Sequence, residues 1–260
     1  MGLARLSHSA ECKLWQQGIV DWHSVERCIA MPLSPNKTEK LRHDIKIARI
    51  AIETGLADWF LERLPPGHDI RVLQDFAKHT AFIDIETTGL GRQDMVTTVA
   101  VYLSGEMHLF VQGINLYELL RLIPKIQLVV TFNGTSFDLP FLRKAFQLPF
   151  AAPHIDLRHT LKAHGFSGGQ KKIERMLSIE RSKKINSVRG SDAPVLWKNY
   201  CDGSRSALRE LLMYNAEDAW MLAQIASACF RFSTRSYPIK VANLLFPDPG
   251  CAKVVSQFDL

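Results

Sequence analysis

The chain has 260 residues, with 32 Lys and Arg against 26 Asp and Glu and a formal net charge of +6. Hydrophobic residues make up 47% and charged residues 22%, which is typical of a globular chain and excludes a disordered or fibrous one. Since no apolar run reaches the roughly 18 residues of a membrane helix, we expect no membrane span.

The number and spacing of the cysteines indicate whether the protein is in an oxidising or a reducing compartment. The five cysteines are Cys12, Cys28, Cys201, Cys229 and Cys251. Because they are odd in number, widely spaced and without a CxxC pair, they fit neither a disulfide framework nor a zinc ribbon. Neither a secretory signal nor a lipid-anchor motif is visible, so we expect reduced thiols in a cytoplasmic protein. The pI near 9.1 weakly favours an anionic partner such as nucleic acid.

The first 79 residues are predicted to be helical. Apolar spacing indicates one or two short helices at 11–22 and a longer helix over 38–55, which follows a turn at 34–36. A further short helix ends at the Pro-Pro-Gly cluster of 65–67, which is the best candidate for a domain boundary. We therefore predict a helical N-terminal region over 1–79, which is expected to pack against the following domain rather than to grip a duplex.

The pattern changes at residue 80. Residues 81–86, 95–103 and 106–111 are predicted strands, the last two joined by a Ser-Gly hairpin turn. Further strands are predicted at 126–132 and 154–157, and helices at about 115–123, 137–146, 170–178, 192–200 and 206–230. This order predicts an α/β fold over 80–232, with a mixed five-stranded sheet flanked by helices, followed by a C-terminal extension over 233–260.

Two acids lie close together on the first strand. Asp84 and Glu86 are two residues apart, so both side chains project from the same face. Two adjacent carboxylates on a buried strand repel each other and lose hydration, and a divalent cation with oxygen ligands relieves that cost. The alternative is a strand end that reaches solvent.

Two further acids follow later in the chain. Asp138 falls at the start of a helix after a strand and a loop, where it is either a helix cap or a ligand. Tyr214 and Asp218 are four residues apart, so they share one face of an apolar helix. If that face packs on the sheet, Asp218 needs a partner, whereas Glu217 is expected to be solvated.

The order of these motifs resembles the DEDD superfamily of 3′→5′ exonucleases, in its tyrosine-bearing branch, which has the ribonuclease H-like fold. Residues 83–89, 132–142 and 214–218 match the three exonuclease motifs. Residues 168–174 and their spacing to the third motif are similar to the YprB-like family of predicted exonucleases, and residues 14–22 resemble the helical segment that often precedes that domain.

The resemblance implies a metal-dependent 3′→5′ exonuclease that hydrolyses phosphodiester bonds of DNA or RNA with two Mg²⁺ or Mn²⁺ ions. By motif match, Asp84 would bridge both ions and Asp138 would bind the second. Glu86 and Asp218 would hold the ion on the side of the nucleophile, and Tyr214 would orient the attacking water. Orientation is the safer role for Tyr214 because the ordinary pKa of a tyrosine is about 10.

Contacts to the nucleic acid are expected from Thr87, Thr88, Gly89, Asn133, Lys171 and Lys172. Asn133 is equally well explained as a residue that stabilises its turn. The basic run of 171–189 could follow a phosphate backbone, although such runs are usually solvated. Asp156 is expected to position the site without binding metal, and the spacing of His154, His159 and His164 does not favour zinc.

Two alternatives to an exonuclease stay open. One is a non-catalytic nucleic-acid-binding module, and the other is a ribonuclease H-type endonuclease on the same fold. The presence of all four acids and the tyrosine favours an enzyme, and the tyrosine-bearing helix argues against the endonuclease. No obligate protein partner is evident.

Overall fold

The computed structural model describes residues 6–91, 93–147, 152–181, 190–235 and 244–258. Its sheet contains β1 (Thr80–Thr87), β2 (Val96–Leu103), β3 (Glu106–Val111), β4 (Leu128–Thr131) and β5 (His154–Asp156). The strand order is β3-β2-β1-β4-β5. β1, β2 and β3 are antiparallel neighbours, whereas β4 and β5 run parallel to β1. The predicted α/β fold with a mixed five-stranded sheet is confirmed.

Helices surround this sheet. The α-helices within the described ranges are α1 (His8–Gln16), α2 (Trp22–Arg27), α3 (Pro35–Glu53), α4 (Ala57–Leu61), α5 (Leu73–Phe76), α6 (Asp138–Phe146), α7 (Leu157–Ala163), α8 (Gln170–Met176), α9 (Ala193–Cys201), α10 (Arg205–Thr234) and α11 (Cys251–Val255). Short 3₁₀ turns cover Asp69–Val72, Ala77–His79, Leu116–Arg121, Ile123–Lys125, Gly190–Asp192 and Ser256–Phe258. None of the helices in these parts of the chain is long and apolar enough to cross a bilayer.

Two local predictions were wrong. The predicted turn at 34–36 is instead the start of α3, where Ser34 precedes the helix and Pro35 occupies its first position. A proline is tolerated there because the first N–H groups of a helix have no helical partner anyway. The predicted helix at 115–123 consists of the 3₁₀ turns Leu116–Arg121 and Ile123–Lys125. Pro124, which has no N–H to donate, prevents an α-helix from continuing through the second turn.

The hairpin between β2 and β3 forms as predicted. Ser104 and Gly105 lie between the paired residues Leu103 and Glu106, with φ values of 54° and 87°. Positive φ at both central positions is typical of the type I′ turn, whose twist matches that of the flanking strands. The Ser104 hydroxyl also donates to the Lys78 carbonyl at 2.5 Å, which ties the turn to the chain just before β1.

The sheet has a buried layer on each face. Side chains of the strands that pack toward α10 include Phe82, Ala100, Tyr102, Leu128 and Val130. Side chains that pack on the other face, toward α6, include Ile83, Ile85, Val99 and Val101. Because side chains alternate along a strand, Asp84 and Glu86 share the face of Phe82 and point toward α10. This alternation fixes where the two acids lie.

The segments before and after the sheet region contribute some residues to its core. Leu14, Leu41 and Ile45 form a separate small cluster of the N-terminal helices, but Phe76 packs with the sheet and α10. At the other end of the chain, the Phe246 ring lies edge-on to Phe82, with 4.9 Å between ring centres. The N-terminal helices therefore pack against the sheet region, as expected from the sequence.

Replacing Phe82 tests how far the sheet core depends on this aromatic contact. The Phe82→Ala substitution should lower the free energy of unfolding by about 3–5 kcal/mol, because it leaves a cavity beneath α10. Phe232 is 45% exposed, so the matched Phe232→Ala substitution should cost only about 1 kcal/mol. Urea unfolding of both variants measures the difference, and equal losses would contradict the described core.

Candidate functional site

Three carboxylates meet at the end of β1. Asp84 and Glu86 project from β1 toward α10, which contributes Asp218 one helical turn after Tyr214. One oxygen from each of Asp84, Glu86 and Asp218 lies within 4.8 Å of the other two. Of the two acids on β1, Glu86 is 9% exposed and Asp84 is half-buried, so they do not form a fully hydrated strand end. Residues that are far apart in the sequence thus place their carboxylates at one site.

Asp138 lies beside this trio. It is the first residue of α6 and is 4% exposed, and nearby backbone N–H groups, including that of Ile85, lower its pKa against the larger effect of burial. Its charge reaches both Asp84 and Glu86, although the three-carboxylate group within 4.8 Å does not include it. Because Phe137 occupies the N-cap position, Asp138 is not the cap that one interpretation of the sequence expected.

Asp84, Glu86, Asp138 and Asp218 form an acidic cluster. Its carboxylates are costly to ionise together. Burial, followed by the charges of neighbouring acids, raises the pKa of Asp84 and of Glu86 well above their ordinary values. Burial also raises the pKa of Asp138 to about 7, against the opposing effect of its backbone hydrogen bonds. A compact group of hard oxygen donors with this excess of negative charge fits a divalent cation such as Mg²⁺ or Mn²⁺.

Arg181 is a cation at the site that the sequence did not predict. The buried guanidinium of Arg181 donates from Nε and Nη2 to the carboxylate of Glu174, at 2.5 and 2.6 Å. Its Nη1 contacts Asp218 Oδ1. Burial raises the pKa of Asp218, and Arg181 opposes that shift. The basic run of 171–189 was a candidate to follow a phosphate backbone or to be solvated, but Arg181 points inward. Residues 182–189 of that run lie outside the described residues.

Asn215 was also missed, although it lies within the third motif. Its side-chain amide donates to the Asp84 carboxylate at 2.8 Å and to the Asp84 carbonyl at 3.1 Å. The available signal was a polar residue on the apolar helix three positions before Asp218. Nearby, the expectation that Glu217 is solvated was wrong. Glu217 is 2% exposed and adds to the effect of burial in raising the pKa of Cys251 to about 12.

Tyr214 lies between the acids and α8. It is 4% exposed, and the Lys171 ammonium sits 4.7 Å from the centre of its ring. Burial and then the charges of Asp218 and Glu86 raise the pKa of Tyr214. The raised pKa favours the protonated hydroxyl, and the orienting role of Tyr214 stays a prediction. Lys171 also lowers the pKa of Glu86, against the larger effect of burial.

The loop after β1 is held by its own polar groups. The Thr87 hydroxyl donates to the Gly89 carbonyl at 2.7 Å, and the Thr88 hydroxyl donates to the Asp94 carboxylate at 2.7 Å. A Cβ on Gly89 would lie 2.7 Å from Asp94 Oδ2, so a larger residue here would displace the Asp94 carboxylate that Thr88 contacts. Contacts of Thr87, Thr88 and Gly89 to nucleic acid stay predictions.

Asp156 organises the loop that leads to Asp138. Its carboxylate accepts hydrogen bonds from the backbone N–H groups of Asn133 and Thr135, at 2.8 and 3.1 Å. Asn133 has a positive φ of 66°, and its side-chain oxygen accepts a hydrogen bond from Arg158 at 2.6 Å. These bonds match the turn-stabilising interpretation of Asn133, while its contact to nucleic acid stays a prediction.

The histidines do not assemble a metal site in the described part of the chain. His154 contacts the Thr131 hydroxyl at 2.9 Å, whereas His164 contacts the Gly67 carbonyl at 2.8 Å. Among the described residues, the acidic trio is the group with the spacing of a metal site. Lys172, the other lysine expected to bind substrate, is exposed and packs its stem near Gly168.

The raised pKa of Asp138 predicts a pH-dependent stability. The folded protein keeps this proton up to about pH 7, whereas the unfolded chain releases it near 3.8, so the contribution of Asp138 to stability falls as the pH rises between these values. In EDTA, Asp138→Asn should therefore become more stable than the wild type as the pH rises, by up to about 4 kcal/mol above pH 7. Urea unfolding from pH 4 to 8 measures this difference, which would be constant if Asp138 were not perturbed.

Comparison with known proteins places this arrangement in a family. A family model described as the RNase_H superfamily matches residues 81–229, more than half of the chain. The matched segment contains Asp84, Glu86, Asp138, Tyr214 and Asp218. A search of curated proteins finds no significant match. On the strength of the family match and the mixed sheet with its acidic cluster, the chain belongs to the ribonuclease H superfamily.

Proposed function

We propose that this protein is a metal-dependent 3′→5′ exonuclease that hydrolyses phosphodiester bonds of DNA or RNA. Membership of the ribonuclease H superfamily indicates a nuclease, and the finer assignment is to the tyrosine-bearing branch of the DEDD exonucleases, near the YprB-like family. The observation that carries the proposal is the meeting of the carboxylates of Asp84, Glu86 and Asp218 within 4.8 Å beside Tyr214.

The proposed assignment of residues follows their positions. Asp84, central to the trio and bonded to Asn215, would contact both ions. Glu86 and Asp218 would hold one ion, and Asp138 would hold the other. Two such ions, when bound, activate water and stabilise the leaving 3′ oxygen. Tyr214 would donate its hydroxyl in a hydrogen bond that orients the water, since its side chain lies one helical turn from Asp218.

Contacts to the substrate form the next part of the proposal. Lys171 is the best supported, since its ammonium lies over the Tyr214 ring at the edge of the acidic cluster. Thr87, Thr88 and Gly89 would shape the loop beside the terminal nucleotide. Asn133 and Lys172 would contribute from the opposite side, near the start of α8.

We also propose three regions within the chain and a cytoplasmic location. The regions are a helical segment over 1–79, the nuclease domain over 80–232 and an extension over 233–260. The change at residue 80 from helices to the sheet supports the first boundary, even though Phe76 shares the core of the sheet. The five free cysteines support the location.

Removing the central carboxylate should separate hydrolysis from binding. Asp84→Asn should lower the rate of nucleotide release by more than about a hundredfold, since even changes to residues behind metal ligands cost 10–100-fold. Release from a labelled strand in Mg²⁺ or Mn²⁺ measures the rate, and fluorescence anisotropy measures the retained binding. Asp202→Asn, an exposed matched control, should act like the wild type.

The same assay contains the outcome that would overturn the proposal. If wild-type protein releases nothing from single strands, duplexes or hybrids in either metal, the protein is a binding module rather than a nuclease. If EDTA leaves the release unchanged, the acidic cluster does not work through a cation.

The direction of attack is tested with the ends of the substrate. A strand labelled at its 3′ nucleotide should release labelled mononucleotide at once, whereas a 5′-labelled strand should shorten step by step. A circular single strand should resist because it offers no 3′ end. Internal fragments from the circle would indicate a ribonuclease H-type endonuclease instead, and gel electrophoresis of both products makes the distinction.

A further inference from the structure

A groove lies beside the acidic cluster. It has a volume of about 450 Å³ and runs between the loop after β4, helix α7 and the segment that leads into α8. The loop contributes Phe132 and Asn133, α7 contributes Arg158 and Lys162, and the third wall contains Phe166 and Gly168. The volume lies in the range of about 300–1,000 Å³ in which protein pockets hold small molecules or parts of larger ones.

The walls of this groove are positively charged. Arg158, His159 and Lys162 are exposed on α7, and no carboxylate lines the groove among the residues that the structure describes. The nearest acid on these elements, Asp156, is buried, and its oxygens accept backbone N–H groups of Asn133, Thr135 and Arg158. The positive charge of the groove is therefore available to a bound anion.

Arg158 is already oriented for such an anion. Its Nη1 donates to the side-chain oxygen of Asn133 at 2.6 Å, which holds one side of the guanidinium at the groove. A guanidinium has five N–H donors in a rigid fork, so the remaining donors can face a phosphate. Lys162 lies one turn further along α7, on the same face of the helix.

Two walls of the groove lead directly to the acidic cluster. The loop wall ends at Ser136, two residues before Asp138 begins α6. The third wall reaches Gly168, two residues before Gln170, whose side chain donates to the Asp218 carbonyl at 3.1 Å. A chain lying in the groove could therefore continue into the cluster without crossing another element.

We propose that this groove binds the phosphodiester backbone of a single strand, just upstream of the nucleotide that enters the acidic cluster. The inference rests on the proposed exonuclease function and adds the path of its substrate. Arg158 and Lys162 bind successive phosphates, and the partly exposed rings of Phe132 and Phe166 contact an unpaired base or its sugar. DNA and RNA share this backbone chemistry, so both are ligands.

Binding can be measured without hydrolysis. In Asp84→Asn protein with Mg²⁺, fluorescein-labelled single-stranded DNA and RNA should bind about fivefold more weakly at 0.1 M salt when Lys162→Ala is added. The slope of log affinity against log salt should fall by about 0.7, the value for one phosphate contact to a single strand. Lys125→Ala is the matched control, since Lys125 is exposed at the opposite end of β4.

Neutral phosphate substitutes locate the contact. A methylphosphonate placed at successive linkages from the 3′ end should weaken binding at one linkage for the Asp84→Asn protein, and the Lys162→Ala addition should abolish the sensitivity at that linkage only. Arg158→Ala should do the same at a neighbouring linkage. Thermal unfolding of each variant monitors folding, because Arg158 also supports Asn133.

Failure of this inference differs from failure of the proposed function. If Lys162→Ala and Arg158→Ala bind strands as tightly as Lys125→Ala while the wild type still releases nucleotides, the groove is not the path and the exonuclease proposal stands. If the wild type neither binds nor hydrolyses any strand, both ideas are wrong.

Discussion

Mutual repulsion among buried carboxylates is the constraint around which the site is built. One oxygen from each of Asp84, Glu86 and Asp218 lies within 4.8 Å of the other two, between β1 and α10. Glu86 and Asp218 are buried and Asp84 is half-buried. Burial alone makes their charges costly, and each neighbouring charge adds to that cost. The fold therefore favours the binding of a cation at this point.

The protein itself supplies some positive charge at this point. Arg181 is held by a bidentate pair with the buried Glu174 and contacts Asp218 with its third nitrogen. The single charge of this guanidinium is shared between Glu174 and Asp218, so it offsets the charge of the trio only in part. Asn215 donates a neutral hydrogen bond to Asp84. A metal ion bound by the trio would compete with Arg181 for Asp218.

Much of the site follows from two short-range periodicities. The two-residue alternation of a strand puts Asp84 and Glu86 on one face, and the four-residue spacing of a helix pairs Tyr214 with Asp218. The hairpin follows from its Ser-Gly turn. The predictions that were wrong concern residues whose surroundings come from other parts of the chain. Glu217 is buried rather than solvated, close to Cys251 of the C-terminal segment, and Arg181 turns inward because Glu174 and Asp218 surround it.

Anomalous diffraction from a crystal soaked in Mn²⁺ tests whether the three carboxylates hold a cation. Manganese should be bonded to oxygens of Asp84, Glu86 and Asp218, with the Arg181 guanidinium displaced from Asp218. Manganese absent from this cluster at saturating concentration, with Arg181 still in contact with Asp218, would contradict that expectation.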